Sequence, residues 1–165
     1  MNFHTADLCD SYGQELEVMA PVFRSFGRKL AFSGPAHPVR ALEDNSLVRA
    51  ALETEGQGRV LVVDGGGSVR CALVGDRLAT LAIDNGWAGI IVFGAIRDAA
   101  EIDTMPVGIR ALTTHPRRSE KRGQGVAGEP VRVAGVMVTA GDWIYADADG
   151  VVVARRKLAG STGTA

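Results

Sequence analysis

The sequence has few of the residues that build disulfide frameworks or zinc centres. Its 165 residues include two cysteines and three histidines. Cys9 and Cys71 form no Cys-x-x-Cys pair, and the histidines occur in no His-Glu-x-x-His segment. A Gly-x-Ser-x-Gly nucleophile elbow is absent as well. These absences argue against a disulfide-stabilised secreted fold, a zinc hydrolase and a serine hydrolase.

The sequence also lacks the features of membrane, secreted and nucleic-acid-binding proteins. No apolar run approaches the roughly 20 residues that a membrane span needs. The first 13 residues contain neither a basic nor an apolar segment, so we expect no secretory signal peptide. The formal net charge of −1 indicates no direct nucleic-acid partner. We therefore expect a cytoplasmic protein with reduced thiols and no membrane contact.

Residues 60–101 are the stretch around which the rest of the chain is organised. Continuous apolar runs at 60–63 and 89–93 predict two buried strands. The segment between them has apolar residues spaced as on one helix face, and it ends at Asn85-Gly86, a usual helix stop. A strand–helix–strand unit of this kind is typical of an open α/β sheet, in which ligands bind beyond the carboxyl ends of the strands.

Two polar features lie where such a ligand is expected. Gly75-Asp76 opens the helix, and Arg97-Asp98 follows the second strand. The first-turn N–H groups could hold a carboxylate, or Asp76 could simply cap its own helix. Arg97 offers a bidentate fork for a carboxylate or keto acid and Asp98 a ligand for a hard metal ion. Alternatively, the two side chains could form a structural ion pair.

The remaining elements complete a mixed α/β or β/β/α layered domain. The sequence predicts a helix at 5–12 capped by Thr5, strands at 29–33 and 39–42 with a Gly34-Pro35 turn between them, a helix at 47–52, a short helix from 98 to about 103, a strand at 108–113, a basic loop at 116–123, and strands at 131–134, 136–139, 143–146 and 151–154. The basic loop is either solvated or lies over the site or a subunit contact. We expect one domain over residues 1–158 and a flexible tail at 159–165. The few lysines lie outside the central stretch.

The glycine cluster Gly65-Gly66-Gly67 has two interpretations. It resembles the first turn of nucleotide or S-adenosylmethionine sites. However, a Gly-x-Gly-x-x-Gly motif that starts at Gly65 would need glycine at the position of Arg70. The Gly-Lys-Ser/Thr of a phosphate-binding P-loop is also absent. We favour a tight turn that brings backbone close to a site.

The spacing of Asp76, twenty residues and then Arg97-Asp98 resembles a known family pattern. It is similar to that of the metal-dependent 4-hydroxy-4-methyl-2-oxoglutarate and 4-carboxy-4-hydroxy-2-oxoadipate aldolases, whose RraA-like family also contains the regulator of ribonuclease activity A. The segments VVDGGGSVRCALVGDRLA and GWAGIIVFGAIRDAAEI carry the resemblance. It extends from TADLCD near the start to GDWIYADADGVVV near the end.

The resemblance implies a swivelling β/β/α domain that assembles as a homotrimer with sites between subunits. It implies that the backbone of Gly75, Asp76, Arg77 and Leu78 cradles pyruvate and that Arg97 also binds it. By the same resemblance, Asp98 would bind Mg²⁺ or Mn²⁺, and Asp76 would lie near a water bound to the metal. Arg97 and Asp76 are then the expected catalytic residues.

The implied activity is that of a metal-dependent lyase, for which we expect no Schiff-base lysine. It would cleave 4-hydroxy-4-methyl-2-oxoglutarate to two pyruvates, with oxaloacetate decarboxylation as a side activity. The alternative is a non-catalytic regulator that binds and inhibits ribonuclease E. The regulators lack the aspartate after the arginine, so Asp98 favours the aldolase. The short chain favours the regulator, because larger aldolases have terminal helices that supply an acidic group to the neighbouring subunit's site.

Overall fold

A computed structural model of the chain describes residues 3–159. The helices are α1 (Thr5–Tyr12), α2 (Ser46–Leu52), α3 (Asp76–Asp84) and α4 (Ala99–Ile102). The strands are β1 (Leu16–Val18), β2 (Arg24–Phe26), β3 (Phe32–Arg40), β4 (Val60–Asp64), β5 (Ala72–Val74), β6 (Gly89–Ile96), β7 (Ile109–Thr114), β8 (Val126–Ala127), β9 (Val131–Val133), β10 (Val136–Val138), β11 (Trp143–Ala146) and β12 (Val151–Ala154). Among these residues, no helix is long and apolar enough to cross a membrane.

Ten of the strands form one mixed sheet in the order β1-β12-β11-β3-β4-β6-β7-β2, with β5 paired to β6 and β8 to β3. Its centre is parallel, because β3, β4, β6 and β7 pair in the same direction. The outer strands β11 and β2 pair antiparallel to this centre. The parallel strands place their carboxyl ends at one edge, where the predicted polar features follow.

Side chains alternate between two cores on the faces of this sheet. In β4, Leu61 and Val63 pack under the helices, whereas Val60 and Val62 pack against the two-stranded β9–β10 unit. A strand buried on both faces reads as a continuous apolar run, which is why 60–63 has no polar alternation. The layering is that of the expected β/β/α domain.

The central unit follows the sequence prediction closely. Strands β4 and β6 cover the two apolar runs, and α3 begins at Asp76 after the N-cap Gly75. Asn85 is its C-cap, and Gly86 has a φ of 73°, a conformation that favours glycine. The predicted helices at 47–52 and after Asp98 and the predicted strands after residue 107 are also present, with ends shifted by one or two residues.

The prediction of two strands separated by a Gly34-Pro35 turn is wrong. Strand β3 runs unbroken through both residues, because it pairs with β11 over 32–35 and with β4 over 36–40. A Cβ on Gly34 would lie 2.0 Å from the carbonyl oxygen of Gly58. The glycine therefore permits a close backbone approach instead of a turn.

The predicted cap of α1 is also wrong. His4 is the N-cap, and Thr5 is the first helical residue. The amide and hydroxyl groups of Thr5 donate to the two carboxylate oxygens of Asp147, each at 2.7 Å. Short strands β1, β5 and β8 were not predicted, and the predicted tail beyond Ala159 lies outside the described residues.

Candidate active site

A pocket of about 510 Å³ lies at the carboxyl ends of β5 and β6. Its lining includes every residue that the sequence predicts for the site: Gly75, Asp76, Arg77, Leu78, Arg97 and Asp98. The first four follow β5 and open α3, and the last two follow β6. The strand-end rule for α/β sheets therefore places them in one cavity.

Parallel pairing of β5 and β6 brings the two polar features together. Val74 and Ile96 are paired in register, so the residues after them become neighbours. The N–H of Arg97 donates to the carbonyl of Val74 at 2.9 Å. The N–H of Asp76 donates to Oδ2 of Asp98 at 3.1 Å. The carboxylate of Asp98 is thereby fixed against the first turn of α3.

Gly75 permits this contact because it has no side chain. A Cβ at this position would lie 2.7 Å from Oδ2 of Asp98 and 3.5 Å from Cγ of Arg97. The φ of Gly75 is −128°, which any residue adopts. The requirement is therefore for space beside Asp98 and Arg97.

Asp98 has an unusual backbone for a residue with a side chain. Its φ of 59° and ψ of 36° are left-handed. Aspartate tolerates this region better than most residues, but it still costs about 1–3 kcal/mol. Asp98 is the N-cap of α4 and makes no side-chain capping bond to it. The geometry turns the carboxylate toward α3.

The pocket is strongly positive. It is lined by five cationic and two anionic side chains, a net charge of +3: Arg49, Arg77, Arg97, Arg118 and Lys121 against Asp76 and Asp98. Within the described residues, Arg97 and Asp98 form no ion pair, so a structural pair does not account for them. Such a site suits an anion with more than one negative group.

Capping does not account for Asp76 either. The N-cap of α3 is Gly75, and Asp76 is the first helical residue. Its carbonyl accepts from the hydroxyl of Thr80, at 3.0 Å. Asp76 lines the pocket instead.

Six lining residues were not predicted as site residues, and two of them, Ala72 and Val74, belong to β5. Arg118 and Lys121 belong to the basic loop, which packs back over the site: the N–H of Ala72 donates to the carbonyl of Arg117 at 2.7 Å. Asn45 is the N-cap of α2, and Arg49 lies in the last turn of this helix. Because α2 follows the carboxyl end of β3, the same strand-end rule would have indicated them.

The donor set fits a hard divalent cation better than zinc. Residues 3–159 contain no group of three or more histidine, cysteine, aspartate or glutamate side chains that could enclose a metal ion. Asp98 and Asp76 offer carboxylate oxygens at an open pocket. Mg²⁺ characteristically takes one or two carboxylates and completes its shell with waters and substrate oxygens. Asp98, whose Oδ2 accepts the N–H of Asp76, could hold such an ion.

The glycine cluster is explained by packing. A Cβ on Gly65 would lie 2.7 Å from both Cδ1 of Leu73 and the carbonyl oxygen of Phe93. Gly66 has a φ of 67°, and its N–H donates to Oδ1 of Asp64 at 2.9 Å. The cluster does not line the pocket described above.

Comparison with known proteins gives a consistent result. Residues 5–153 match the family "RraA-like: Aldolase/RraA". A protein of Alkalilimnicola ehrlichii named "Putative 4-hydroxy-4-methyl-2-oxoglutarate aldolase" is 54% identical over 96% of this chain and 98% of its own length. A Geobacillus kaustophilus structure titled as an S-adenosylmethionine:2-dimethylmenaquinone methyltransferase is 52% identical, with a TM-score of 0.93 over 94% of this chain and 97% of that one. The RNA-processing inhibitor RraA from Thermus thermophilis is 44% identical, with a TM-score of 0.93 over 99% of both chains. The chain therefore belongs to the RraA-like (Aldolase/RraA) family.

Proposed function

We propose that the protein is a divalent-metal-dependent aldolase that cleaves 4-hydroxy-4-methyl-2-oxoglutarate to two pyruvates. The observation that supports this most is the contact between Asp98 and the first turn of α3, with Arg97 alongside in the same pocket. It combines a cation ligand, an anion-binding helix end and a guanidinium within one cavity. The aldolase name of the Alkalilimnicola relative agrees with it.

Substrate binding would use the positive end of α3. This helix has nine residues, and its first-turn N–H groups have no acceptor within the helix. The N–H of Asp76 donates to Asp98. The N–H groups of Arg77 and Leu78 would donate to the 1-carboxylate of the keto acid, and the helix dipole would add to this attraction.

Arg97 would act on the charge that develops during bond cleavage. As the C3–C4 bond breaks, its electron pair passes into the 2-keto group and forms the pyruvate enolate. Arg97 would donate hydrogen bonds to the enolate oxygen. Asp76 would hold the water that takes the proton from the C4 hydroxyl as C4 becomes the keto carbon of the first pyruvate. Return of that proton to C3 of the enolate would then give the second pyruvate. Held mainly by Asp98, Mg²⁺ or Mn²⁺ would polarise the 2-keto oxygen.

Oxaloacetate should be decarboxylated by the same residues. Loss of its 4-carboxylate as CO₂ leaves the same pyruvate enolate. No separate binding mode for the 2-keto acid end is required, so Arg97 and Asp98 should be needed equally for both reactions.

The test is pyruvate release from both substrates with Mg²⁺ and with EDTA, corrected for the enzyme-free rate. We expect metal-dependent turnover in the parent and a loss of about 100-fold or more in Arg97→Ala and Asp98→Asn. Asp84→Asn, an exposed carboxylate of α3 outside the pocket, is the matched control and should retain parental turnover. Absence of turnover in the folded parent protein supplied with metal would refute the proposed enzymatic function.

The second candidate is a regulator of ribonuclease E. It is favoured by the likeness to the RNA-processing inhibitor RraA over 99% of both chains. This function predicts binding and inhibition of ribonuclease E that Asp98→Asn leaves unchanged. The retained Asp98 gives the aldolase precedence.

Methyl transfer is not proposed, although one similar structure has a methyltransferase title. The glycine cluster that suggested S-adenosylmethionine is accounted for by contacts with Leu73 and Phe93. It also lies outside the pocket that carries the charged side chains. A titration with S-adenosylmethionine should give no saturable binding.

A further inference from the structure

A second group of cations lines the pocket besides Arg97. Arg118 and Lys121 come from the basic loop (116–123), and Arg49, which pairs with Glu53 at 2.7 Å, comes from α2. Arg118 and Lys121 make no ion pair within residues 3–159. The substrates of the proposed function carry two carboxylates, and the α3 end and Arg97 account for the keto-acid half alone. The second group is therefore suited to the other carboxylate.

A single buried carboxylate joins the two elements that carry these cations. Asp44 is 2% exposed and lies just before α2. Its Oδ1 accepts the N–H and the hydroxyl of Ser46, at 2.9 and 2.6 Å. Its Oδ2 accepts the N–H groups of Arg122 and Gln124, at 2.7 and 3.4 Å. One oxygen therefore orders the start of α2, and the other orders the end of the basic loop.

The rest of the loop also depends on this segment. The N–H of Asn45 donates to the carbonyl of Glu120 at 3.2 Å, and that of Glu120 donates to the carbonyl of Glu43 at 3.0 Å. The hydroxyl of Ser46 in turn accepts the N–H of Gly123 at 3.0 Å. Lys121 is thus flanked on both sides by residues bonded to the segment around Asp44.

We infer that Asp44 is a positioning residue that holds Arg118 and Lys121 in the pocket and so sets its preference for keto acids with a second carboxylate. The inference rests on the proposed function for its kinetic part. Asp44 does not line the pocket, so it acts through the loop and not by contact with substrate.

Asp44→Asn tests the role with little change of volume. An amide has one acceptor oxygen, so its NH₂ group would face either the Ser46 donors or those of Arg122 and Gln124. Half of the network is then lost. Asp142→Asn is the matched control, since Asp142 is 6% exposed, accepts the N–H of Thr139 and pairs with Arg155, but does not line the pocket.

The kinetic readout compares substrates with two carboxylates and with one. Oxaloacetate has two, whereas pyruvate, whose C3 protons exchange with solvent through the same enolate, has one. Asp44→Asn should raise KM for oxaloacetate by about 10-fold or more, because charged contacts with its second carboxylate are lost. The rate of pyruvate C3 exchange should stay within about twofold of the parent. The kcat for oxaloacetate should not fall, because the 4-carboxylate held by these cations loses its charge as it leaves as CO₂. Asp142→Asn should change none of these.

Limited trypsin digestion measures how accessible the basic loop is to cleavage and does not depend on enzymatic activity. The basic loop contains four trypsin sites: Arg117, Arg118, Lys121 and Arg122. Asp44→Asn should be cut there faster than the parent and the Asp142→Asn control, because the backbone around these sites is released. Equal cleavage rates in the two variants would overturn the positioning role.

The two readouts separate the possible failures. Faster cleavage with an unchanged KM for oxaloacetate would overturn the effect on selectivity. If the parent neither decarboxylates oxaloacetate nor exchanges pyruvate, the proposed function fails, and trypsin alone decides whether Asp44 positions the loop. If Asp44→Asn does not fold, the double variant Arg118→Gln, Lys121→Gln replaces it, since it removes the charges and keeps Asp44. It should give the same rise in KM, and a parental KM would refute the inference.

Discussion

At the residue scale, Gly75 illustrates how the absence of a side chain builds the site. An added Cβ would lie 2.7 Å from the Asp98 carboxylate, too close for Asp98 to keep its position. The backbone of Gly75 is ordinary, so alanine there should displace Asp98 without straining the chain.

We therefore predict that Gly75→Ala lowers metal-dependent pyruvate release by about 10-fold or more, while the free energy of unfolding changes by less than about 1 kcal/mol. Initial rates and urea unfolding measure the two effects. Gly150→Ala is the control, because nothing lies within 4 Å of its Cβ and its φ is not in the left-handed region. Parental turnover in Gly75→Ala would contradict the assigned role of Asp98.

Lys121 requires a test of its own, because we expect no Schiff-base lysine from the sequence and the structure places this lysine in the pocket. It is exposed, and a Schiff-base lysine is usually desolvated. We predict that Lys121→Gln keeps kcat within about threefold of the parent and raises KM. Incubation with pyruvate and borohydride should leave the parent active. Irreversible inactivation with a mass increase on Lys121 would indicate covalent catalysis instead.

The positions of Gly75-Asp76 and Arg97-Asp98 in the sequence were enough to predict that they lie together. Each pair follows one of two neighbouring parallel strands. Sequence position was not enough for Arg118 and Lys121. Their position depends on bonds between distant residues, such as that from Arg122 to Asp44, which leave no local pattern in the sequence.

At the element scale, the stability of the contact between α2 and the basic loop should depend on pH. Burial by itself would raise the pKa of Asp44, but hydrogen bonds from Ser46 and from the N–H groups of Arg122 and Gln124 lower this pKa from 3.8 to about 2. The unfolded chain therefore takes up the proton at a higher pH than the folded protein. The stabilisation is complete well above pH 3.8 and is lost as the pH falls through about 2.

We predict that the difference in unfolding free energy between the parent and Asp44→Asn shrinks as the pH is lowered from about 5 toward about 2. Urea unfolding at several pH values measures it, and using the difference cancels the titration of the other carboxylates. A difference that stays constant over this range would show that Asp44 is not the charged acceptor described here.

The same scale shows why β3 was misjudged. Gly34-Pro35 is a turn signal within local sequence, but the ladders on either side of it come from β11 and β4, which lie far along the chain. Pairing on both sides outweighs the local preference. The run at 60–63 was predicted correctly because its pattern reflects burial on both faces.

At the scale of the whole molecule, the single chain leaves apolar side chains at its surface. Val18, Val22 and Leu30 are 59%, 44% and 62% exposed. A homotrimer, as the family resemblance implies, would give such surface a partner.

We predict a mass in solution of three times the 17.3 kDa of one chain. Light scattering after size-exclusion chromatography measures it, and the specific activity at each dilution shows whether assembly is needed for turnover. A fully active species with the mass of one chain would contradict both the trimer and sites shared between subunits.

The central claim is that Arg97 and Asp98 form a site for the pyruvate enolate, and C3 exchange of pyruvate in D₂O tests it most directly. Loss of the pyruvate methyl signal in proton NMR measures enolate formation without dependence on the physiological substrate. We predict exchange in the parent with Mg²⁺, none above background with EDTA, and a decrease of about 100-fold or more in Arg97→Ala and Asp98→Asn. Exchange that is absent in the folded parent, or undiminished in these variants, would contradict the account.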